Sequence, residues 1–309
     1  MLEKVVCDLC GGEACDVVYP ATVNDEDCPG FQYSCTNDGH GSHYQVVRCQ
    51  RCGLCYCSPR PRSIDLECGY QEVQDPLYEE EMLGRRRTFQ RNLRQLSLHK
   101  EKGKLLDIGC YLGVFLDEAK KQGWEVEGLE PSRWCVEQAE KVFGLRLKQG
   151  TYRDVLVFHQ EFDVVTMWDI LEHVDSPMNA LRLIHSTLKD DGLFVFSTLD
   201  LGSWYARFFG SRWPWLMRMH IYYFDRKHIR QYLEKAGFTV REIKVYKHIV
   251  SLEYLVYKLK RINKFLFVLM AGFYKVCRLF KKDVFFTIAL GDFMEVYAQK
   301  ASSVEGGAW

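Results

Sequence analysis

Lys104-Leu-Leu-Asp-Ile-Gly-Cys-Tyr-Leu-Gly113 is the stretch whose reading decides the fold. Lys104 to Ile108 reads as a buried strand, Gly109 to Gly113 as a turn, and Val114 to Gln122 as a helix ended by Gly123. The alternation continues outward. Trp124 to Leu129 reads as a strand, Arg133 to Phe143 as a helix stopped by Gly144, and Phe162 to Met167 as a strand. Asn179 to Leu188 then reads as a helix and Leu193 to Thr198 as a strand, with two more strands at Val240 to Val245 and Phe293 to Ala298. Strands alternating with helices predict an α/β fold, with a mostly parallel sheet and right-handed crossovers.

Such sheets bind ligands beyond the carboxyl ends of their strands, near the switch point. The first strand leads into Asp107-Ile-Gly-Cys-Tyr-Leu-Gly113, and the second ends in Glu130. Gly109 lets backbone approach a ligand, and Gly113 lets the helix pack on the strand. A carboxylate at Glu130 can take both hydroxyls of a ribose. The turn is D-x-G-x-x-x-G, not the G-x-G-x-x-G of a dinucleotide site. An acid at Asp107 repels a pyrophosphate but suits an ammonium or sulfonium group, which favours S-adenosylmethionine (SAM) over NAD.

Several ordered segments carry a family resemblance. Asp107-Ile-Gly-Cys110, Val126-Glu-Gly-Leu-Glu-Pro-Ser132, Phe162-Asp-Val-Val-Thr-Met-Trp-Asp-Ile-Leu-Glu-His173 and Leu188-Lys-Asp-Asp-Gly192 resemble the motifs of class I SAM-dependent methyltransferases. His220-Ile-Tyr-Tyr-Phe224, Leu233 to Phe238 and Asp292 to Lys300 continue the match. The cysteines around Arg48 to Leu54, with Ser58-Pro-Arg-Pro61, resemble the zinc ribbon fused to one branch of that family. The resemblance implies a Rossmann-like, mostly parallel seven-stranded sheet with helices on both faces, preceded by a small zinc-ribbon domain. It further implies that Asp107, Gly109 and Gly113 line the methionine end of SAM and that Glu130 holds the ribose. Thr151 and Tyr152 would flank the adenine, and Trp168 and Asp169 would also touch the cofactor. Tyr111 stands where the family usually has a second glycine.

A sulfonium donor is already activated, so the protein has to position the acceptor and, for a hydroxyl, remove its proton. His173 and His220 are the candidate bases, with Asp200 a weaker one. Residues 204–230 hold Trp204, Trp213, Trp215 and further aromatics among Arg207, Arg212 and Arg218. Aromatic faces stack on sugars and arginines fork onto phosphates, so a sugar, nucleotide sugar or lipid-linked glycan is the expected acceptor. A lid that buries its aromatics is the alternative use of that segment. A quinone-like, lipid-soluble aromatic is the alternative acceptor, and a non-catalytic zinc-ribbon binding module the alternative function.

Most of the 13 cysteines fall in the first 70 residues. Cys7-Asp-Leu-Cys10 and Cys49-Gln-Arg-Cys52 supply four thiolates, the set a closed structural Zn²⁺ site needs. Cys15, Cys28, Cys35, Cys55, Cys57, Cys68, His40 and His43 are surplus to it. The expected division is a zinc ribbon at 1–62, a linker and helical cap at 63–103, and a methyltransferase domain at 104–309. Leu77 to Leu98 reads as a solvated linker helix that packs on the next domain, with an arginine-rich nucleic-acid helix as the alternative. Residues 1–80 carry 5 Lys or Arg against 14 Asp or Glu, which argues against nucleic acid as partner.

Residues 241–290 carry 11 Lys or Arg against 3 acids, within an apolar-basic helical insertion at about 246–290. On a helix, Lys260, Lys264, Lys275, Arg278 and Lys282 fall within about a 60° arc, beside Phe265, Leu266, Leu269, Phe273, Val276 and Phe280. That pattern suits peripheral membrane contact through 258–282, and packing on the sheet or a homodimer contact is the other use of it. MLEKVVCDLC carries charges where the apolar core of a signal peptide would sit, and no apolar run approaches the roughly 20 residues of a span. The expected location is cytoplasmic, with the inner face of the membrane as a peripheral site.

Overall fold

The computed structural model describes residues 2–23, 33–34, 39–75, 78–158, 160–256, 264–279 and 283–301. In chain order the small N-terminal strands are β1 (Leu2–Glu3), β2 (Cys15–Tyr19), β3 (Val46–Cys49), β4 (Cys55–Cys57) and β5 (Arg60–Pro61). Helices α1 (Ser63–Gln71) and α2 (Tyr78–Leu96) follow. The next units are β6 (Lys104–Ile108), α3 (Val114–Lys121), β7 (Glu125–Glu130), α4 (Arg133–Phe143) and β8 (Lys148–Gln149). They lead to β9 (Phe162–Trp168), α5 (Pro177–Thr187), β10 (Leu188–Leu199), α6 (Trp204–Phe209), β11 (Tyr222–Tyr223), α7 (Arg226–Lys235) and β12 (Phe238–Val245). The chain closes with β13 (His248–Ser251), α8 (Lys264–Leu279), β14 (Phe285–Ile288) and β15 (Phe293–Lys300).

The main sheet runs β12-β15-β10-β9-β6-β7-β8. Neighbours from β10 to β8 are parallel, and β15 is antiparallel to both β10 and β12. The order reverses between β6 and β9, which places a switch point beside the turn that follows β6. Successive strand residues point to opposite faces. Leu105, Val164, Val195 and Tyr297 therefore pack with Phe89 and Leu93 of α2, Phe115 of α3 and Ala139 of α4. Leu106, Val165, Phe196 and Val296 pack on the other face with Leu181 of α5 and Ile229 of α7. The seven-stranded, doubly covered sheet expected from the sequence is present.

That second face also holds the N-terminal segment. Val46, Val47, Leu54 and Tyr56 belong to the same buried cluster as Phe196 and Ile229. Their sheet, ordered β11-β4-β3-β2, is finished by Tyr222 and Tyr223 from far along the chain. Helix α2 packs on the next domain as the sequence predicts, through Phe89, Leu93 and Leu96, but two of its arginines are paired and not solvated. Arg86 pairs with Asp117 and Glu118 of α3, and Arg91 pairs with the buried Glu295 at 3.2 Å. The insertion expected as helices also contains a two-stranded antiparallel pair, β13 with β14. Of the predicted basic stripe, 258–263 and 280–282 lie outside the described residues, as do Cys28 and Cys35.

Helix α2 lies against β13 at Gly84, where an added Cβ would sit 2.6 Å from the Ile249 carbonyl oxygen and 3.2 Å from Val250 Cα. Both neighbours are backbone and cannot swing aside. In an exposed helix Gly→Ala gains up to about 1 kcal/mol. Here Gly84→Ala is expected to destabilise the protein by about 1–3 kcal/mol in denaturant unfolding, through overpacking. A gain in stability would show that α2 does not rest on β13.

Candidate functional site

Three strands deliver side chains to one edge of the sheet. Asp107, the fourth residue of β6, is buried, and its Oδ1 accepts a hydrogen bond from Thr166 Oγ1 of β9 at 2.7 Å. Burial pushes its carboxyl up to about 8, the Thr166 bond pulls it back, and the charge of Glu130 adds to the rise. Glu130 ends β7, also buried. Its Oε2 accepts the Tyr111 N–H at 2.8 Å and its Oε1 the Ser132 N–H at 2.9 Å. Burial raises it to about 7 against those two bonds. Each carboxylate oxygen has a second lone pair, so two further donors fit on Glu130.

The turn between them is sharply folded. Gly109 has φ +70°, and a Cβ there would lie 2.7 Å from Ile170 Cδ1. Tyr111 has φ +52°, a left-handed backbone that glycine adopts without cost. Its hydroxyl donates to Asp75 Oδ2 at 2.7 Å, which ties the turn to the segment just before α2. Ser132 Oγ does the same from the next strand end, donating to the Val73 carbonyl at 2.8 Å. Gly113 N-caps α3 with φ +78°.

Trp168 ends β9 against Phe115 (ring centroids 5.2 Å), Phe89 (6.1 Å) and Tyr246 (6.1 Å, planes 21° apart). Its indole N–H is buried and lacks a hydrogen-bond partner among the described residues. Asp169 has φ +55°, and its Oδ1 accepts from Ser197 Oγ at 2.6 Å. Thr151 is committed to an N-cap, its hydroxyl oxygen accepting the Arg153 N–H at 3.3 Å. The Tyr152 hydroxyl donates to Asp175 Oδ1 at 2.7 Å. Asp175 also pairs with Arg153, a network the sequence did not suggest.

The two predicted histidines meet. His173 and His220, 47 positions apart, have ring centroids 4.8 Å apart. Glu172 joins them, and one ligand atom from each of the three lies within 4.8 Å of the others. His173 Nδ1 is 3.0 Å from the Met219 carbonyl oxygen and 2.9 Å from the Tyr70 hydroxyl, and His220 Nδ1 is 2.7 Å from the Trp215 carbonyl oxygen. Carbonyls only accept, so both Nδ1 atoms carry the hydrogen and both Nε2 atoms keep a lone pair. Glu172 Oε2 accepts from Thr198 Oγ1 at 2.7 Å, while the buried Oε1 has no partner among the described residues. Burial lowers His173 to about 4 and holds His220 well below its ordinary value. Burial, with the charge of Asp169, raises Glu172 to about 8. Both imidazoles are thus neutral near pH 7 and are weak proton acceptors, and Glu172 is the strongest base of the three. One carboxylate and two neutral imidazoles are also a donor set for a divalent cation. Sequence reasoning named the histidines and passed over Glu172, although it adjoins His173.

Asp200 lies apart from this cluster in its contacts, paired with Arg226 at 2.9 Å. Four of the nine Phe, Trp and Tyr residues of 204–230 are core. Trp213, Tyr222, Tyr223 and Phe224 are buried, and only Trp204, Phe208 and Phe209 stand out in solvent.

The four expected cysteines form the second cluster. The Sγ atoms of Cys7, Cys10, Cys49 and Cys52 all lie within 4.8 Å of one another, with Cys7–Cys52 and Cys10–Cys49 each at 3.5 Å. All four are free cysteines. Zn–S bonds of about 2.3 Å in a tetrahedron put sulfur atoms about 3.8 Å apart, so the set fits Zn²⁺ with little movement. Gly12 is packed against it, where a Cβ would come within 3.2 Å of Cys49 Sγ.

A family described as a methyltransferase domain matches residues 78–243. The chain is 33% identical over 107 residues to the ubiquinone biosynthesis O-methyltransferase of Actinobacillus pleuropneumoniae serotype 7, covering 31% of this chain and 46% of that protein. It is 32% identical over 124 residues to the protein of that name in Salmonella paratyphi A, covering 38% and 50%. The chain thus spans about half the length of these curated relatives. A SAM-dependent methyltransferase structure from Archaeoglobus fulgidus overlays 72% of this chain and 98% of its own at 22% identity, with a TM-score of 0.48. The family match covers more than half of the sequence, including the sheet edge with its buried acids, and the chain belongs to the class I SAM-dependent methyltransferases.

Proposed function

We propose that the protein transfers the methyl group of SAM to a hydroxyl on a quinone-like, lipid-soluble aromatic acceptor. One observation carries the acceptor class: a file of rings leads from Trp168 at the cofactor edge through Tyr246, His248 and Phe293 to Trp215, with centroid steps of 6.1, 4.5, 5.1 and 4.9 Å. The Trp215 carbonyl then holds His220. Trp168 and Tyr246 lie nearly parallel (21°), while the other three steps meet edge to face at 83–85°, so the file forms an apolar aromatic wall beside the acceptor and not a stack for it to join. The relatives in Actinobacillus and Salmonella, named as ubiquinone biosynthesis O-methyltransferases, support the same reading. The glycan reading loses its support where Trp213 and Tyr222 to Phe224 turn inward.

In this reading Glu130 accepts the ribose hydroxyls, and Asp107, Gly109 and Gly113 line the methionine end. Thr151 and Tyr152 flank the adenine, while Trp168 and Asp169 stand between cofactor and acceptor. SAM supplies a methyl group already activated by its sulfonium. The residues hold the acceptor oxygen in line with it; the O–CH₃ bond forms as the S–CH₃ bond breaks, and the hydroxyl proton passes to the ionised form of Glu172, the minority form below its value of about 8. The Nε2 lone pairs of His173 and His220 accept hydrogen bonds from the acceptor hydroxyl or from Glu172 once it is protonated. We assign the ribbon to 1–62, the helical connection to 63–103 and the transferase to 104–309, with β11 lent to the ribbon sheet.

In the free protein at pH 7 Asp107, at about 8, is largely protonated and Glu130, at about 7, about half so. A cation bound beside them favours their ionised forms, so SAM binding at pH 7 is expected to release about one proton. Calorimetry in buffers of different ionisation enthalpy measures this, and Glu130→Gln is expected to weaken binding by about tenfold or more, from lost hydrogen bonds to a charged acceptor. Unchanged affinity in that variant would remove Glu130 from the cofactor site.

Helix α8 presents Val268, Leu269, Phe273, Val276 and Leu279, from 47% to 81% exposed, next to an exposed Lys275. No helix among the described residues is long and apolar enough to cross a membrane. We assign this face to the surface of an anionic bilayer, where a lipid-soluble acceptor resides. Replacing Val268, Leu269 and Phe273 together by serine is expected to cut co-sedimentation with phosphatidylglycerol vesicles at least tenfold. A homodimer that dissociates on the same change, with no vesicle binding in either protein, would assign the face to a second copy instead.

A further inference from the structure

The cysteine cluster and the Glu172–His173–His220 cluster are fastened to each other from two sides. Asp8 lies between Cys7 and Cys10. Its Oδ1 accepts from Ser176 Oγ at 2.7 Å and its Oδ2 accepts the Met178 N–H at 2.9 Å. Ser176 is itself the N-cap of α5, so a carboxylate from the first cysteine turn completes the cap of the helix that follows His173. Next to it, Lys235 Nζ donates to the Leu9 carbonyl at 2.8 Å.

The second cysteine turn grips the other histidine. Immediately after Cys52, β4 pairs with β11 through Tyr56 opposite Tyr222 and Cys55 opposite Tyr223. The Cys57 N–H donates to the Ile221 carbonyl at 2.8 Å. From the opposite side the Glu172 carbonyl accepts the N–H groups of Ile221 at 3.0 Å and Tyr222 at 3.1 Å. The segment after His220 is thus clamped between Glu172 and the ribbon. The cofactor edge has other supports. Asp107 bonds to Thr166, and Glu130 to the Tyr111 and Ser132 N–H groups, all outside the ribbon.

We infer that the metal-bearing ribbon positions the acceptor half of the site: metal on the four cysteines sets where Asp8 and β4 sit, and these fix Glu172, His173 and His220, leaving the cofactor edge formed without it. The inference rests on the acceptor site proposed above. Asp8 is a positioning residue, since it acts through the α5 cap and touches no reactant. A unit this small, holding four thiolates, draws its folding free energy from the metal.

Hydrogen exchange by mass spectrometry on the full chain tests this without needing the acceptor. Removing metal with a chelator is expected to speed exchange at least tenfold in 172–180 and 220–224. Exchange in 104–131 and the Kd for S-adenosylhomocysteine should stay within twofold. Asp8→Ala keeps all four cysteines. It is expected to retain one zinc per chain and to speed exchange at least tenfold in 172–180 alone, because β4 still holds 220–224. Asp8→Asn, which keeps one acceptor for the Met178 N–H, should restore most of the protection. A purified chain without metal, equal loosening of 104–131, or unchanged exchange in 172–180 on both treatments would overturn the inference. Failure to bind S-adenosylhomocysteine with the exchange pattern intact would instead sink the cofactor reading and leave this one standing.

Discussion

Two carboxyl groups, Asp107 and Glu130, are shut away from water at the carboxyl edge of a parallel sheet, and the rest of the site is arranged around that cost. Thr166 and two backbone N–H groups offset part of it. The remainder appears as raised pKa values. A carboxyl raised by folding stabilises the fold at acid pH, and that contribution is lost as pH climbs through the folded value. With values of about 8 and about 7, the free protein carries a growing penalty from the ordinary carboxylate range up to pH 8. On the proposed reading the sulfonium of SAM removes the penalty, which accounts for an acid at the opening of a glycine turn. The left-handed backbone of Tyr111 serves the same edge, since it aims that residue's N–H at Glu130.

The sheet was legible because strands buried on both faces and helices with one apolar face carry distinct periods, and β6, β7 and β9 lie within a residue of where those periods put them. The cysteine pairs were legible because four thiols on two short turns leave a spacing. Other parts had no such signal. β11 is two residues long and finds its partner across more than 160 positions, and β13 pairs with β14 across the α8 insertion. No local pattern announces either. The aromatic residues of 204–230 look the same in sequence whether they line a ligand site or fill a core, and Trp213 and Tyr223 turned out to be core. His173 and His220 were recognisable as histidines near the mouth. Their meeting, beside a Glu172 oxygen without a partner among the described residues, depends on the Glu172 carbonyl catching Ile221 and Tyr222.

The fold thus joins two supports that the sequence presents as separate. On the proposed reading the cofactor edge hangs on β6, β7 and β9, braced by Asp75 and Val73 from the segment before α2. On the proposed reading the acceptor side hangs on the ribbon, whose core is continuous with the sheet face that carries α5 and α7. A transferase whose donor is already activated gains most from exact placement of the acceptor, and a closed metal site is a rigid place from which to hold it.

A crystal structure with S-adenosylhomocysteine bound tests the central claim most directly. The account predicts both ribose hydroxyls within hydrogen-bond distance of Glu130, the methionine end over Gly109, and the sulfur facing the opening between Trp168 and Glu172. A ligand seated elsewhere, or a Glu130 carboxylate still bound only to the Tyr111 and Ser132 N–H groups, would contradict it.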